Sequence, residues 1–303
     1  MDRLLLRPLL PHNAARRTEV SAVLAEAVWE PSGEKLRQTM ETYERDPGHR
    51  LYVRLGDGPE PEVAGVIGLR ELAGTVEIRH LAVAPGRRGR GLGWEMVFAL
   101  PTVCTCLDVV AETDRDAVGF YRRIGFSVES LGEVYPGTER FRCRLRLPEA
   151  VAAVASRYDS GTVRDLIVER GRAAGVSGHE SVDDFPWEDR LAWVIVGYHR
   201  GQPAGYATVC LLPKLDRRKG FIYVDEIWVR PDFRRLGVAR AILGCADALA
   251  EDGGLAGVRL YVASDNPAAQ ELYRRAGYTL EPSLFAEKLH CGAGAEAFRW
   301  RQD

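Results

Sequence analysis

Residues 224–239 read V-D-E-I-W-V-R-P-D-F-R-R-L-G-V-A, and residues 78–93, I-R-H-L-A-V-A-P-G-R-R-G-R-G-L-G, lie on them without a gap. Pro85 falls on Pro231, Arg88 on Arg234, Gly91 on Gly237 and Gly93 on Ala239. Such a repeat constrains the fold more than composition does, because whatever unit the first copy builds the second must build again. Each copy opens with the alternation of a strand, which is clearest in the second, and each is stopped by a proline that cannot continue a ladder. Each then turns through Arg and Gly positions into helical periodicity. Small residues stand where a backbone must approach a ligand, and the first N–H groups of a helix lack intrahelical partners, so the turn reads as a phosphate cradle. In the second copy a count by twos puts Val224, Glu226 and Trp228 on one strand face and Asp225, Ile227 and Val229 on the other.

A second pair of matching segments follows: D-R-D-A-V-G-F-Y-R-R-I-G-F at 114–126 and N-P-A-A-Q-E-L-Y-R-R-A-G-Y at 266–278, with Tyr121 on Tyr273 and Gly125 on Gly277. The R-x-x-G-x-[GA] turn followed by this segment resembles the acyl-CoA-binding motif and second signature of the GNAT superfamily of N-acetyltransferases. The first copy is also similar, over most of residues 60–146, to free-standing bacterial members, through E-I-R-H-L-A-V at 77–83, A-E-T-D-R-D-A-V at 111–118 and Y-P-G-T-E-R-F at 135–141. The resemblance implies an α/β chain of two tandem GNAT-like domains, each a mixed, mostly antiparallel sheet opened at its central strand and flanked by helices. It implies acetyl-CoA as cofactor. The residues so implied are Val83, Arg88, Gly89, Arg90, Gly91, Leu92, Gly93 and Tyr121 in the first copy. In the second they are Val229, Arg234, Arg235, Leu236, Gly237, Val238, Ala239 and Asn266. Tyr273 and Tyr121 take the family position beside the departing sulfur.

Acyl transfer to nitrogen needs a neutral amine, so a carboxylate on the central strand is the natural base. Asp225 and Glu226 are both candidates, and the sequence does not choose between them. The first copy has Arg79 and His80 there, with Glu77 or a neutral His80 as substitutes, so the second copy is expected to turn over substrate. Each of these residues also has a plainer reading: a solvated acid, a packed histidine, an aromatic in a helix face, or, for Asn266 and Asp114, a helix cap. No Cys stands in either motif near a His, which favours direct attack of the amine over a covalent enzyme intermediate. The alternatives are a non-catalytic acyl-CoA-binding sensor or scaffold, and an acyltransferase using another donor or a protein acceptor.

Along the chain, strands are expected at 4–10, 51–55, 62–69, 76–83, 107–111, 191–198 and 206–211, and helices at 13–29, 34–43 and 162–174. A G-Q-P-A-G turn is expected at 201–205, and a polar loop at 212–220. The apolar pattern restarts after Leu147-Pro148, which divides the chain into domains 1–147 and 148–303, joined too closely to be independent. Loops at 31–50, 131–141, 178–190 and 212–220 should line the acceptor site. The tail from Cys291 has no evident counterpart.

With 41 basic and 43 acidic residues the formal charge is −2, so no overall field recruits nucleic acid or an anionic membrane. The apolar run in M-D-R-L-L-L-R-P-L-L is too short for a secretory signal, and the six Cys show neither metal-ligand spacing nor a disulfide framework. A cytoplasmic monomer or homodimer acting on a small-molecule amine, without a metal, is the expectation.

Overall fold

The computed structural model describes residues 7, 9–56, 60–175, 182, 185–187, 191–215 and 218–284. The first unit runs β1 (Leu10–Pro11), α1 (Arg17–Leu24), α2 (Gly33–Arg45), β2 (His49–Leu55), β3 (Val63–Leu72), β4 (Thr75–Val83), α3 (Leu92–Phe98), β5 (Asp108–Thr113), α4 (Val118–Arg123), β6 (Ser127–Tyr135) and β7 (Thr138–Arg146). The second runs β8 (Ala150–Val154), α5 (Ser160–Ala173), β9 (Ala192–His199), β10 (Gln202–Leu212), β11 (Phe221–Val229), α6 (Val238–Asp252), β12 (Val258–Leu260) and α7 (Pro267–Arg275). Among the described residues two separate sheets result, a seven-stranded one in the order β1-β2-β3-β4-β5-β7-β6 and a five-stranded one in the order β12-β11-β10-β9-β8. This is the tandem α/β architecture the repeat requires. No described helix is long and apolar enough to cross a membrane.

Among the described residues all pairings are antiparallel except β4 with β5 and β11 with β12. Those two ladders are short, joining Val76–Ile78 to Val109–Ala111 and Ile222–Val224 to Val258–Leu260. Yet β4 stays paired to β3 as far as Val83, and β11 to β10 as far as Val229. Each sheet therefore parts between its parallel strands and leaves a mouth that faces the turn into α3 or α6.

A bulge sits at the start of each mouth. Gly68 pairs with His80 but Leu69 with Ile78, and Thr208 pairs with Glu226 but Val209 with Val224, so Arg79 and Asp225 are the extra residues. The bulge resets the alternation and corrects the simple face count. Val224 packs with Ile227 and Val229 in the core under α6, whereas Trp228 lies against the α5 core that contains Tyr206. The hairpin turn between β9 and β10 is also tighter than expected: Arg200 and Gly201 make it, and Gln202 already belongs to β10. Segments 31–50 and 131–141, expected as loops, contain α2 and the β6–β7 hairpin. Of the first expected strand only Leu10 is in β1; residues 1–6, most of 178–190 and the tail from Cys291 lie outside the described residues.

The units differ inside one shared frame. Arg54 of β2 and Glu95 of α3 form a buried ion pair, Nε to Oε1 at 2.8 Å. The strand registers place Gly197 where Arg54 stands, and the repeat places Ala241 where Glu95 stands. At Gly197 the helix α6 closes directly on the sheet, for a Cβ there would meet Val238 at 2.7 Å and Ile242 at 2.9 Å.

Leu147 is buried and donates its N–H to Leu107, so the chain passes from β7 to β8 without a loose linker. Pro101 follows α3 in a tight turn, Leu100–Thr102, whose side chains are buried. Into it fits the β9–β10 turn: Gly201 donates its N–H to the Pro101 carbonyl at 2.8 Å. Gly201 has φ +77°, and a Cβ would lie 3.0 Å from the Cys104 carbonyl carbon. Gly201→Val is therefore expected to lower the unfolding free energy by about 1–3 kcal/mol. The measurement is urea denaturation, where the midpoint should fall; an unchanged midpoint would show that the seam tolerates a side chain there.

Candidate functional site: two strand-to-helix cradles beside parted strands

After Val83 and Val229 the chain enters a one-turn 3-10 helix, Pro85–Arg87 or Pro231–Phe233. Arg88 and Arg234 follow in extended conformation, then two left-handed residues bracket Arg90 or Leu236: Gly89 and Gly91 at φ +76° and +78°, Arg235 and Gly237 at φ +65° and +87°. The alternation curves successive N–H groups around a common concavity. Gly91 and Gly237 are the N-caps, neither supplies a side-chain cap, and Leu92-Gly93 and Val238-Ala239 begin the helices. Donors thus remain directed into each cradle, which suits pyrophosphate oxygens. Arg235 adopts without glycine what Gly89 adopts with it, at a cost of about 1–2 kcal/mol; the letters R-R-L-G carry no signal of this.

Arg88 and Arg234 brace the turns, donating Nε–H to the carbonyls of Val83 at 3.2 Å and Val229 at 3.3 Å. The Arg88 guanidinium also meets Glu26 at 2.5 Å. Gly93 has a packing reason, since a Cβ there would lie 3.1 Å from the Phe120 ring.

The residue just past each bulge takes a partner from the opposite layer. In the second unit the Glu226 carboxylate accepts the Tyr206 hydroxyl of β10 and pairs with Arg170 of α5. Burial pushes the Glu226 carboxyl above its ordinary value, against the opposing pull of Tyr206 and Arg170. Asp225, the bulged residue, is exposed. In the first unit the His80 Nδ1 lies 2.7 Å from the Tyr43 hydroxyl of α2. Burial first, then the charge of Arg79 and His49, lowers His80 to about 4. Burial also holds Tyr43 protonated, so a neutral phenol meets a neutral imidazole. The contact needs Gly68, where a Cβ would overlap the Tyr43 oxygen. Neither Arg170 nor Tyr43 carries a local signal in the sequence, because each reaches its partner across many residues.

Tyr121 and Tyr273 are buried, and burial raises both phenols. Tyr121 stacks edge-on with Phe120 and Phe126 at 5.2 and 5.1 Å, and Tyr273 lies 5.9 Å from Tyr278. Asn266 caps α7, its side chain accepting from the Ala269 N–H at 2.9 Å. Asp114 accepts from Asp116 and Ala117, both at 3.1 Å, one turn before α4.

The sequence model of the family described as Acetyltransferase (GNAT) matches residues 18–126 and 163–278. GCN5-related N-acetyltransferase 4, chloroplastic, of Arabidopsis thaliana is 32% identical over 91 residues, covering 27% of this chain and 31% of that protein. The chain thus spans about a third of the length of this curated relative. Among solved structures, the aminoglycoside acetyltransferase meta-AAC0020 from an uncultured soil metagenomic sample aligns at 14% identity and TM-score 0.42, covering 47% of this chain and 96% of that one. The ribosomal-protein-alanine N-acetyltransferase of Brucella melitensis biovar Abortus 2308 aligns at 21% identity and TM-score 0.38, covering 46% and 99%.

The His80 environment sets a pH dependence. Between its ordinary value of 6.5 and about 4 the unfolded chain takes up a proton that the folded chain refuses, so stability rises with pH through that window. The stabilising contribution is complete above 6.5 and is lost as pH falls toward 4. Urea titrations across this window should show a shallower fall for His80→Gln than for the wild type; identical slopes would refute the assignment.

Proposed function

Because the chain belongs to the acetyltransferase (GNAT) family, we propose that it transfers an acyl group, acetyl foremost, from coenzyme A to a small primary amine by direct attack, with turnover in the second unit. The observation that carries this reading is the placement of Glu226, half-buried just past a bulge, beside parted strands and an uncapped cradle. The N–H groups of Arg235 and of residues 237–239 suit the pyrophosphate, that of Leu236 going to the Phe233 carbonyl instead, and Asn266 suits the pantetheine arm. When bound, acyl-CoA supplies an activated thioester carbonyl; the chain supplies position and proton traffic.

A carboxylate raised by burial is a stronger base than an exposed one, and Glu226 is the group suited to take the ammonium proton directly or through a water. Asp225 is its exposed neighbour at the mouth. Tyr273, whose phenol burial keeps protonated, has the O–H needed by a departing thiolate. Against a covalent route through sulfur, burial raises Cys104 and Cys245 to about 12, and raises Cys143 and Cys210 as well. In the first unit His80, at about 4, is a weak proton acceptor where the second has a carboxyl raised by burial. These observations favour a first unit that binds acyl-CoA without turnover, the scaffold reading confined to one half. The acceptor, the use of other acyl donors and a protein acceptor are questions for the same assay.

Thiol release from acetyl-CoA, measured across a panel of primary amines, tests the proposal. Glu226→Gln should lower kcat by about 10²–10⁴ with acetyl-CoA binding retained, and should remove an acid limb lying above the ordinary carboxylate range. Asp225→Asn should change kcat much less. Gly237→Glu should weaken binding at the second cradle while leaving the first, in a titration that otherwise saturates at two sites per chain. Loss of turnover in His80→Gln or Tyr121→Phe, with Glu226→Gln unaffected, would move the activity to the first unit.

A further inference from the structure

The first unit has a cavity of about 250 Å³ at its strand mouth, lined by Glu77, Ile78, Arg79, Glu112, Val134, Tyr135 and Arg140. Ile78, Ala111 and Phe141 belong to the core under α3 and α4. Strand alternation therefore turns Glu77, Glu112 and Arg140 to the opposite face, away from the cradle. The charges on this lining are organised. Glu77 pairs with Arg79 at 3.0 Å and lies 3.7 Å from Arg70. Glu112 receives Arg142 through Nε at 3.2 Å and Nη2 at 2.9 Å. Arg140 differs: among the described residues its guanidinium has no carboxylate partner and donates to the main-chain carbonyl of Glu112 at 3.1 Å. It is half-buried.

We propose that this cavity binds an apolar α-amino acid as its zwitterion. A simple cation would meet the guanidinia of Arg79 and Arg140, and a simple anion the carboxylates of Glu77 and Glu112. A molecule with both charges finds a counterpart for each: its carboxylate on Arg140, where the planar donor fork suits a bidentate contact, and its ammonium toward Glu77 and Glu112. The volume is slightly below that of pockets for drug-sized ligands, about 300–1,000 Å³, which fits a molecule of amino-acid size. Val134 and Tyr135, 51% and 63% exposed on the β6–β7 hairpin, offer an apolar lip for the side chain. The assignment concerns binding and holds whichever unit turns over substrate.

Isothermal titration of the full chain without acyl donor tests it, using L-leucine, L-leucinamide and N-acetyl-L-leucine. The first has both charges, the second lacks the carboxylate and the third lacks the ammonium. L-leucine should saturate one site per chain and the other two should bind at least tenfold more weakly. Arg140→Gln should weaken L-leucine at least tenfold and erase its advantage over the amide. Absence of L-leucine binding, equal binding of all three, or unchanged affinity in folded Arg140→Gln overturns the proposal. The three-ligand comparison on the unaltered chain decides without any substitution. Since no acyl donor is present, failure here leaves thiol release untouched, and failure of thiol release leaves this binding untouched.

Discussion

Each unit depends on a parallel ladder that stops early. The Val76–Ile78 and Val109–Ala111 segments, like Ile222–Val224 and Val258–Leu260, hold the sheet together at one end only. A full-length ladder would satisfy more backbone groups internally but leave no mouth between the strands. The bulge acts at the same point. It inserts Arg79 or Asp225, turns the next residue toward the opposite layer, and so decides which side chain overlooks the opening.

The repeat, the tandem architecture and the cradles are legible in the sequence because they are local patterns. Proline stops a strand, glycine permits a left-handed turn, and apolar spacing marks a helix, all within a few residues. What is not legible arises from long-range pairing. A count by twos cannot register one inserted residue opposite another strand, so it puts Trp228 on the face of Val224. The partner of Glu226 comes from α5 and that of His80 from α2. No spacing rule near residues 226 or 80 announces Arg170 or Tyr43. Gly68 is a similar case: its reason lies in the Tyr43 oxygen, and on β3 alone it reads as a weak point in a strand.

Equivalent positions have exchanged chemistry without changing the frame. The first unit supports its cradle helix on a buried ion pair, Arg54 with Glu95, while the second brings a longer helix down onto Gly197. Breaking a buried pair by removing one partner costs about 3–5 kcal/mol, whereas a well-packed apolar contact can replace the whole pair at little cost. A change at one of these two positions therefore needs its companion, which makes intermediate sequences unfavourable and separates the two solutions. The electrostatics past the bulge divide likewise, with burial raising a carboxyl in one unit and lowering an imidazole in the other.

The seam between the units joins unlike surfaces, the β9–β10 turn of one and the Leu100–Thr102 turn of the other. A contact of this head-to-tail kind can in principle be extended by further copies into an open array. Here the two units differ at the receiving position. The receiving turn exists because Pro101 follows a short α3, and the repeat places Asp247 at the corresponding position, inside the unbroken helix α6. Among its described residues the second unit thus carries the inserting turn without the receiving one, and a single proline makes the difference between the two units at this position.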